Sequence, residues 1–113
     1  MTYPQITISL QRKELRLMQS VTQEQRFSIA IGKPETPTPK GNWYVQNKKI
    51  LADPGPFGTH WIGLNFPGYG IHGTNQTTSI GTAASGGCIR MYNHDVQYVF
   101  DHVSIGTPVI ITD

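Results

Sequence analysis

The sequence is poor in charge and in cysteine, and each shortage excludes a class of protein. Charged residues make up 14% of the 113 residues, and the formal net charge is only +2. No run of Lys and Arg with interleaved aromatic residues occurs, which argues against a nucleic-acid partner. The single cysteine, Cys88, excludes an internal disulfide, and neither it nor the four histidines show the spacing of a metal site. We therefore expect no metal and no cofactor.

Long hydrophobic runs are also missing. No apolar stretch approaches the roughly 20 residues of a membrane-spanning helix, so we expect no membrane span. The N-terminal residues are not expected to form a signal peptide, because Arg12, Lys13 and Arg16 interrupt them. Two interpretations stay open: the chain begins after a leader that has been removed, or it reaches its destination by another route.

Turn-forming residues, by contrast, are frequent, with 12 Gly and 8 Pro. Such a composition favours short strands and ordered loops over long amphipathic helices. A chain of this length fits one domain, residues 1–113, and is long enough to bury a hydrophobic core.

Alternating apolar residues predict the strands. The alternation at residues 6–10 resumes at residues 15–17 after a polar break, which predicts a hairpin. Further strands are predicted at residues 27–31, 42–46, 48–51, 60–64 and 109–111, the third of them as a possible partner of the second. Residues 33–41 contain three prolines and predict a stiff extended loop, and residues 53–58 predict a turn.

One helix is predicted near residues 94–103. Asn93 or Asp95 is expected to cap its first turn by bonding the free N–H groups. Apolar residues recur there at helical spacing: Val96, Val99, Phe100 and Val103. The sequence therefore predicts a mostly β fold with one short helix.

The segment from Ile71 to Met91 contains the residues with chemical potential. It holds Cys88 and, upstream of it, His72. The thiolate is the nucleophilic form of cysteine, and an imidazole within reach can take the thiol proton. Glycines directly before the sulfur let backbone N–H groups approach a substrate oxygen closely, as an oxyanion hole requires. This pattern predicts a cysteine nucleophile with a histidine base.

Each of these residues also has a purely structural interpretation. A lone cysteine is more often a small buried hydrophobe, and a lone histidine is more often a surface or satisfied core residue. Arg90 either pairs with Asp95 or shares a face with Cys88, where it lowers the pKa of the thiol and binds a substrate carboxylate or carbonyl. Ser85 is either a turn residue or a hydroxyl donor near the sulfur. His60 either lines the pocket or packs within a strand.

With these residues in view, the chain resembles the catalytic domain of the L,D-transpeptidases, the YkuD-like family. The signature is His72-Gly73-Thr74 and then Ser85-Gly86-Gly87-Cys88-Ile89-Arg90-Met91, followed by Asn93-x-Asp95. Thr38-Pro39-Lys40-Gly41 is similar to the family's Thr-Pro-x-Gly element, and Gly106-Thr107-Pro108-Val109 is similar to its approach to the last strand. The resemblance covers nearly the whole chain.

The resemblance implies a β-sandwich-like fold and a cysteine acyltransferase that acts on peptidoglycan stem peptides. By this analogy Cys88 attacks the carbonyl of the third stem residue, a diamino acid, and expels D-Ala from a tetrapeptide stem. His72 serves as the base, the Gly73 carbonyl orients its ring, and the backbone N–H groups of Gly87 and Cys88 bind the oxyanion. An amine of a second stem then resolves the thioester and forms a 3→3 cross-link.

The resemblance also implies substrate contacts, a location and a class of inhibitor. Arg90, Ser85 and His60 are the expected substrate-binding side chains. The expected location is the bacterial cell envelope, in the wall, the periplasm or the spore, where the enzyme contributes to wall biogenesis and cell shape. Carbapenems acylate the cysteine of family members. One departure is Gly86, which stands where the family often has His, Lys or Arg, so that no charged side chain is contributed there.

Three alternatives stay open at the level of the sequence. In an L,D-carboxypeptidase, water would resolve the same thioester. A non-catalytic binding module for wall peptides would keep the fold without turnover, although the presence of both Cys88 and His72 argues against it. A redox-sensing thiol is the least favoured, because no resolving cysteine exists.

Overall fold

The computed structural model describes residues 3–113, apart from the side chain of Pro54. Within that range the chain forms ten strands, one 3₁₀ turn and one α-helix. The strands are β1 (Gln5–Ser9), β2 (Glu14–Met18), β3 (Glu24–Ser28), β4 (Ile31–Gly32), β5 (Gly41–Gly55), β6 (Gly58–Leu64), β7 (Gly70–His72), β8 (Ala83–Ser85), β9 (Ile89–Arg90) and β10 (Pro108–Thr112). The 3₁₀ turn spans Thr77–Ser79, and helix α1 spans Asn93–His102. The prediction of a mostly β fold with one short helix is confirmed.

Eight strands form one sheet in the order β3-β2-β1-β10-β5-β6-β7-β9, while β4 pairs with β8. The long strand β5 serves both halves of the large sheet: its residues 41–44 pair with β10, and its residues 45–55 pair with β6. We call β3, β2, β1 and β10 the first half of the sheet and β6, β7 and β9 the second half. Buried side chains from both halves meet in one hydrophobic cluster, which makes the arrangement β-sandwich-like.

The first half is built on regular alternation of apolar and polar residues. Ile6 and Ile8 of β1 lie opposite Leu17 and Leu15 of β2, and all four side chains are buried. Ile6 also lies beside Val109 of β10, which runs parallel to β1. A fully buried side chain of this kind contributes roughly 1.5–3 kcal/mol, so these strands supply much of the hydrophobic stabilisation. The predicted hairpin is confirmed.

Helix α1 packs against β6 and β7 of the second half. Its buried residues are Val96 and Val99, two of the apolar positions that predicted it. At the C-terminal end of the helix, Lys48 Nζ donates a hydrogen bond to the carbonyl of Val103, the residue after the last helical one, at 2.7 Å. A cation at this place suits the negative end of the helix dipole. No helix in the described part of the chain has the length and apolarity that crossing a bilayer requires.

Two strand predictions were wrong. The strand predicted at 27–31 is divided, because β3 ends at Ser28 and Ala30 leaves that sheet edge to exchange backbone hydrogen bonds with Arg90. Residues 48–51 are not a separate partner strand either, because β5 continues through them to Gly55 and pairs with β6. The register of β5 against β6 shifts between Val45 and Asn47 and again between Ile50 and Gly55, but no turn interrupts the strand.

The predicted helix cap was also wrong. The residue before the first helical turn is Tyr92, and no side chain caps that end of the helix. Asn93 lies inside the helix as its first residue, and its Oδ1 accepts a hydrogen bond from the Thr59 N–H at 3.2 Å. The amide is therefore bonded to the neighbouring hairpin instead of to its own helix.

Candidate active site

Two parallel strands bring the sequence-predicted catalytic residues together. In the pairing of β7 with β9, Ile71 lies opposite Ile89 and His72 opposite Arg90. The His72 carbonyl accepts the Met91 N–H at 2.8 Å, which locks this register. Cys88 directly precedes β9, so the register that aligns Arg90 with His72 also brings the thiol to the same end of β7.

His72, Cys88 and Arg90 line one cavity of about 350 Å³. The remaining lining residues are Pro56, Phe57, Gly68, Ser85 and Gly86. A second cavity of about 310 Å³ meets the thiol from an apolar side, where its walls are Leu51, Phe57, Trp61 and Gly68. Cys88 thus lies between a polar opening and an apolar one.

The His72 ring is buried and its tautomer is defined by one hydrogen bond. Its Nδ1 lies 2.5 Å from the Gly73 carbonyl oxygen. A carbonyl oxygen only accepts, so Nδ1 carries the hydrogen and donates it. In the neutral ring Nε2 is then the unprotonated nitrogen, which is the form a general base needs.

Two aromatic rings enclose His72. The Trp61 ring stacks on it at a centroid distance of 5.6 Å with the planes 13° apart, and Phe57 meets it edge-on at 5.0 Å. Burial lowers the pKa of His72, and the positive charge of Arg90 lowers it further, against the opposing effect of the Gly73 carbonyl. His72 is therefore neutral in the resting site at neutral pH.

The Cys88 thiol is also neutral at rest. Burial raises its pKa, and the backbone N–H of Gly70 and the charge of Arg90 lower it without overcoming the effect of burial. The thiol donates a weak hydrogen bond to the Gly68 carbonyl, with Sγ and oxygen 3.6 Å apart. The pair is thus a thiol and a neutral imidazole rather than a preformed thiolate and imidazolium.

Ser85 braces the turn that carries the thiol. Its Oγ donates to the Cys88 carbonyl at 2.6 Å and accepts the Gly87 N–H at 3.0 Å. This geometry favours the interpretation of Ser85 as a turn residue over that of a substrate contact, although the residue also borders the cavity. It also occupies the Gly87 N–H, which was expected to bind the oxyanion. Among the described residues, no acceptor takes the Cys88 N–H.

Gly87 is a glycine for a steric reason, and Gly86 is not. Gly87 has φ +125°, and a Cβ on it would overlap with the Tyr69 ring. A Cβ on Gly86 would meet no atom within 4 Å. Position 86 therefore has room for the larger side chains that the family the chain resembles often has there.

Arg90 lies in the cavity and does not pair with Asp95. Its Nη1 donates to Gln76 Oε1 at 3.2 Å, whereas Asp95 lies 3.1 Å from His94 Nε2. The guanidinium has further donors, and no carboxylate is among the residues that line the cavity. It is the cation beside the thiol.

The structure does not bring His60 into either cavity. His60 is buried on the side of β6 that faces α1, where its ring packs on Phe100 at a centroid distance of 4.7 Å. Its neighbour Trp61 points to the opposite face and covers His72. The strand alternation that puts Trp61 at the site turns the His60 side chain away from it. Only its carbonyl contributes, by accepting the Gly73 N–H at 3.3 Å.

Comparison with known proteins decides the family. The model of the YkuD family, described as the L,D-transpeptidase catalytic domain, matches residues 3–111. The chain belongs to this family. A Bacillus licheniformis protein that carries the name L,D-transpeptidase YkuD is 44% identical over 107 residues, which are 95% of this chain and 64% of that protein. The chain thus spans less than two thirds of that relative's length.

Solved L,D-transpeptidase structures have the same fold. The catalytic domain of the Enterococcus faecium L,D-transpeptidase, solved by NMR, aligns with a TM-score of 0.77 and 27% identity, covering 99% of this chain and 98% of that one. The avibactam carbamoyl enzyme of Ldtfm aligns with a TM-score of 0.79 and 26% identity, covering all of this chain and 50% of that one. Both alignments support the β-sandwich-like expectation.

Three contributors to this YkuD-family site were missed from the sequence. Phe57 and Trp61 were assigned only to a predicted turn and a predicted strand, and no role in the site was predicted for Gly70. Alternation along β6 predicts that Trp61 and His60 point to opposite faces of the sheet. Which of the two faces carries the site depends on the pairing of Trp61 with His72. The role of the Gly70 N–H depends on that same pairing, because the pairing decides which N–H groups point away from β6.

No group of three or more His, Cys, Asp or Glu side chains in the described residues could hold a metal ion.

Proposed function

We propose that this chain is a cysteine acyltransferase, an L,D-transpeptidase that acts on peptidoglycan stem peptides. The observation that carries the proposal is the neutral His72 with a basic Nε2 in one cavity with the Cys88 thiol. Membership in the L,D-transpeptidase catalytic domain family supports it. The substrate is a tetrapeptide stem, cleaved between its third residue and D-Ala.

The acylation step begins from the neutral pair. As Cys88 Sγ attacks the scissile carbonyl, His72 Nε2 takes the thiol proton, and the carbonyl oxygen becomes an oxyanion. When the oxyanion collapses, the bond from carbon to the D-Ala nitrogen breaks, and the imidazolium returns its proton to that nitrogen. The products of this step are free D-Ala and a thioester on Cys88.

The deacylation step reverses the roles. The amine of a second stem attacks the thioester, and His72 Nε2 takes a proton from that amine. The sulfur leaves and is reprotonated, and a new amide joins the third residues of two stems. Because His72 starts each step unprotonated, its lowered pKa suits both of them.

The oxyanion is assigned to the N–H of Cys88. That group has no acceptor among the described residues, whereas the Gly87 N–H is already donated to Ser85. One well-aimed backbone donor contributes roughly 2.7–4 kcal/mol to the transition state. The sequence expectation of two donors, Gly87 and Cys88, is therefore revised to one in the resting geometry.

Arg90 is assigned to a carboxylate of the donor stem. It is the cation that borders the polar cavity, and its Gln76 contact leaves guanidinium hydrogens available. A stem that ends in D-Ala places a carboxylate one residue beyond the scissile carbonyl. A charge-assisted bond from Arg90 to it would orient the donor over Cys88.

The decisive experiment is intact-protein mass spectrometry with a tetrapeptide stem donor, with and without an amine acceptor. We expect an adduct of the donor minus D-Ala that Cys88→Ala abolishes, and a cross-linked product when the acceptor is added. An adduct that yields only free tripeptide would make the protein an L,D-carboxypeptidase. Donor binding without any adduct by the folded protein would make it a binding module.

Two further assignments follow from the proposed activity. The substrate places the enzyme in the cell envelope, where stem peptides occur. The carbamoyl enzyme that Ldtfm forms with avibactam supports the proposal that Cys88 is open to acylating inhibitors, carbapenems included. Incubation with a carbapenem should add its mass to the protein and not to Cys88→Ala.

A further inference from the structure

The Asn93 side chain lies against two glycines on different elements, and the backbones of those glycines are also close together, since a Cβ on Gly58 would overlap with the Gly73 Cα as well. A Cβ on Gly58, at the tip of the β5–β6 hairpin, would overlap with Asn93 Oδ1, and so would a Cβ on Gly73, directly after the catalytic histidine. Gly58 has φ +65°, the left-handed conformation that a glycine adopts without strain. The amide of Asn93 is thus in close contact with the backbone on both sides.

The helix that contains Asn93 gains little from it. Asn has a low preference for helix interiors and a high one for the capping position, where it would bond its own backbone. Here it is the first helical residue, and the helix end has no side-chain cap. Its Oδ1 instead accepts the Thr59 N–H from β6 at 3.2 Å. The residue is placed to join the hairpin to the segment after β7.

Each of the two backbone segments that meet at Asn93 contributes a group that contacts the His72 ring. Gly73 supplies the carbonyl that accepts the Nδ1 hydrogen. Gly58 follows Phe57, whose ring meets His72 edge-on at 5.0 Å. A shift of either segment would change the orientation of the imidazole or release its Nδ1–H.

We propose that Asn93 is a positioning residue that holds the Gly73 carbonyl and the hairpin tip together, and so selects the Nδ1–H tautomer of His72. In the other tautomer Nε2 would carry a hydrogen and could not take the thiol proton. Asn93 touches neither the thiol nor the cavity, so it acts through His72. The inference rests on the proposed role of His72 as the base, but its direct readout does not require activity.

The test is the ¹⁵N chemical shifts of the His72 ring at a pH where the imidazole is neutral, together with the rate of Cys88 acylation by a stem donor. The native protein should show Nδ1–H. Asn93→Ala should shift the ring toward a mixture of tautomers and slow acylation at least about tenfold, a part of the roughly 10²–10⁴-fold that a general base supplies. Asn93→Asp, which keeps an oxygen for the Thr59 N–H, should restore both values.

Thr107→Val is the matched control. The Thr107 hydroxyl also accepts a backbone N–H, from Ser104 at 3.0 Å, in a turn that contributes no residue to the cavities at Cys88. This variant should lose similar stability and keep the His72 tautomer. An equal change of tautomer in Thr107→Val and Asn93→Ala would mean general loosening and would overturn the proposal.

Other outcomes also decide the matter. An unchanged tautomer in Asn93→Ala, or no recovery in folded Asn93→Asp, would refute the positioning role. If Asn93→Ala does not fold, Asn93→Ser takes its place, because the shorter serine side chain does not contact both Gly58 and Gly73. A native protein that never acylates, but whose tautomer responds to Asn93, would contradict the proposed function and leave this inference standing.

Discussion

The two halves of the large sheet are made from different kinds of sequence. In the first half, buried Ile, Leu and Val alternate with outward residues, and the pairs Ile6–Leu17 and Ile8–Leu15 form a regular apolar layer. In the second half, β7 is only Gly70–His72, and its histidine is buried against aromatic rings instead of aliphatic ones. The second half also buries aliphatic side chains in the shared hydrophobic cluster, Ile62 and Ile71 among them, but it additionally encloses a polar imidazole.

The difference predicts that stability and chemistry can be removed separately. His72→Gln should slow acylation of Cys88 by roughly 10²–10⁴-fold, because the general base is lost while a polar side chain of similar size stays. The urea midpoint at pH 8 should change little, since the native ring is neutral there. Stopped-flow or quenched mass spectrometry with the stem donor measures the rate.

Leu17→Ala is the counterpart in the first half. It should lower the free energy of unfolding by about 2–5 kcal/mol, because it leaves a cavity in a fully buried site. The acylation rate of the molecules that remain folded should equal that of the native protein. A large rate defect in Leu17→Ala, or a large stability defect in His72→Gln, would break the division between the two halves.

A second comparison lies within the turn before the thiol. Gly87→Ala should disturb the turn, because the residue has φ +125° and a Cβ would overlap with Tyr69. We expect acylation to fall by about tenfold or more, since the Cys88 N–H would no longer be aimed at the oxyanion. Circular dichroism should show an intact fold.

Gly86→Ala is the matched control, since a Cβ there meets no atom within 4 Å. It should acylate at close to the native rate. Gly86→Arg extends the comparison, because it adds a second cation to the cavity of Arg90 and should lower the pKa of the thiol as seen in the pH profile of alkylation. Equal defects in both alanine variants would show that Tyr69 does not constrain this turn.

The smallest expected effect is on the pH dependence of stability. Burial lowers the pKa of His72 in the folded protein below its value in the unfolded chain, which is about 6.5. Between these two pKa values the unfolded chain binds more protons than the folded protein. The contribution of His72 to stability is therefore complete above the unfolded pKa and is lost as the pH falls through the folded pKa. His72→Gln should lose less stability than the native protein between pH 7 and pH 5 in urea titrations. Identical losses would contradict a buried neutral imidazole.

The sequence was sufficient where structure depends on near neighbours. The hairpin of β1 and β2 and the last strand β10 follow from local alternation, and helix α1 follows from the spacing of Val96 and Val99. His72 and Cys88 were found because their chemistry and spacing form a recognisable motif. The resemblance also implied that the Gly73 carbonyl orients the His72 ring, and the structure contains a hydrogen bond between that carbonyl and Nδ1.

What could not be predicted depends on pairing between distant segments. His60 was expected at the site and Trp61 was not, and only the register of β6 against β7 decides between them. Asn93 has the sequence position of a cap, yet its amide is bonded to Thr59. The Gly87 N–H was lost to Ser85 because the turn closes on itself. Local preference was overridden in each case by a contact that links the site to a separate element.

The sharing of β5 between the two halves has a consequence for motion. Within residues 3–113, the part of β5 beyond Val45 pairs with β6 alone, so this arm of the hairpin that ends at Pro56 and Phe57 is hydrogen-bonded along one edge. Its amides should exchange with solvent through local opening at a lower free energy than those of β1, which is paired on both sides. Opening at this tip would move Phe57 away from His72, while Trp61 stays in place because it is paired with both Lys49 and His72.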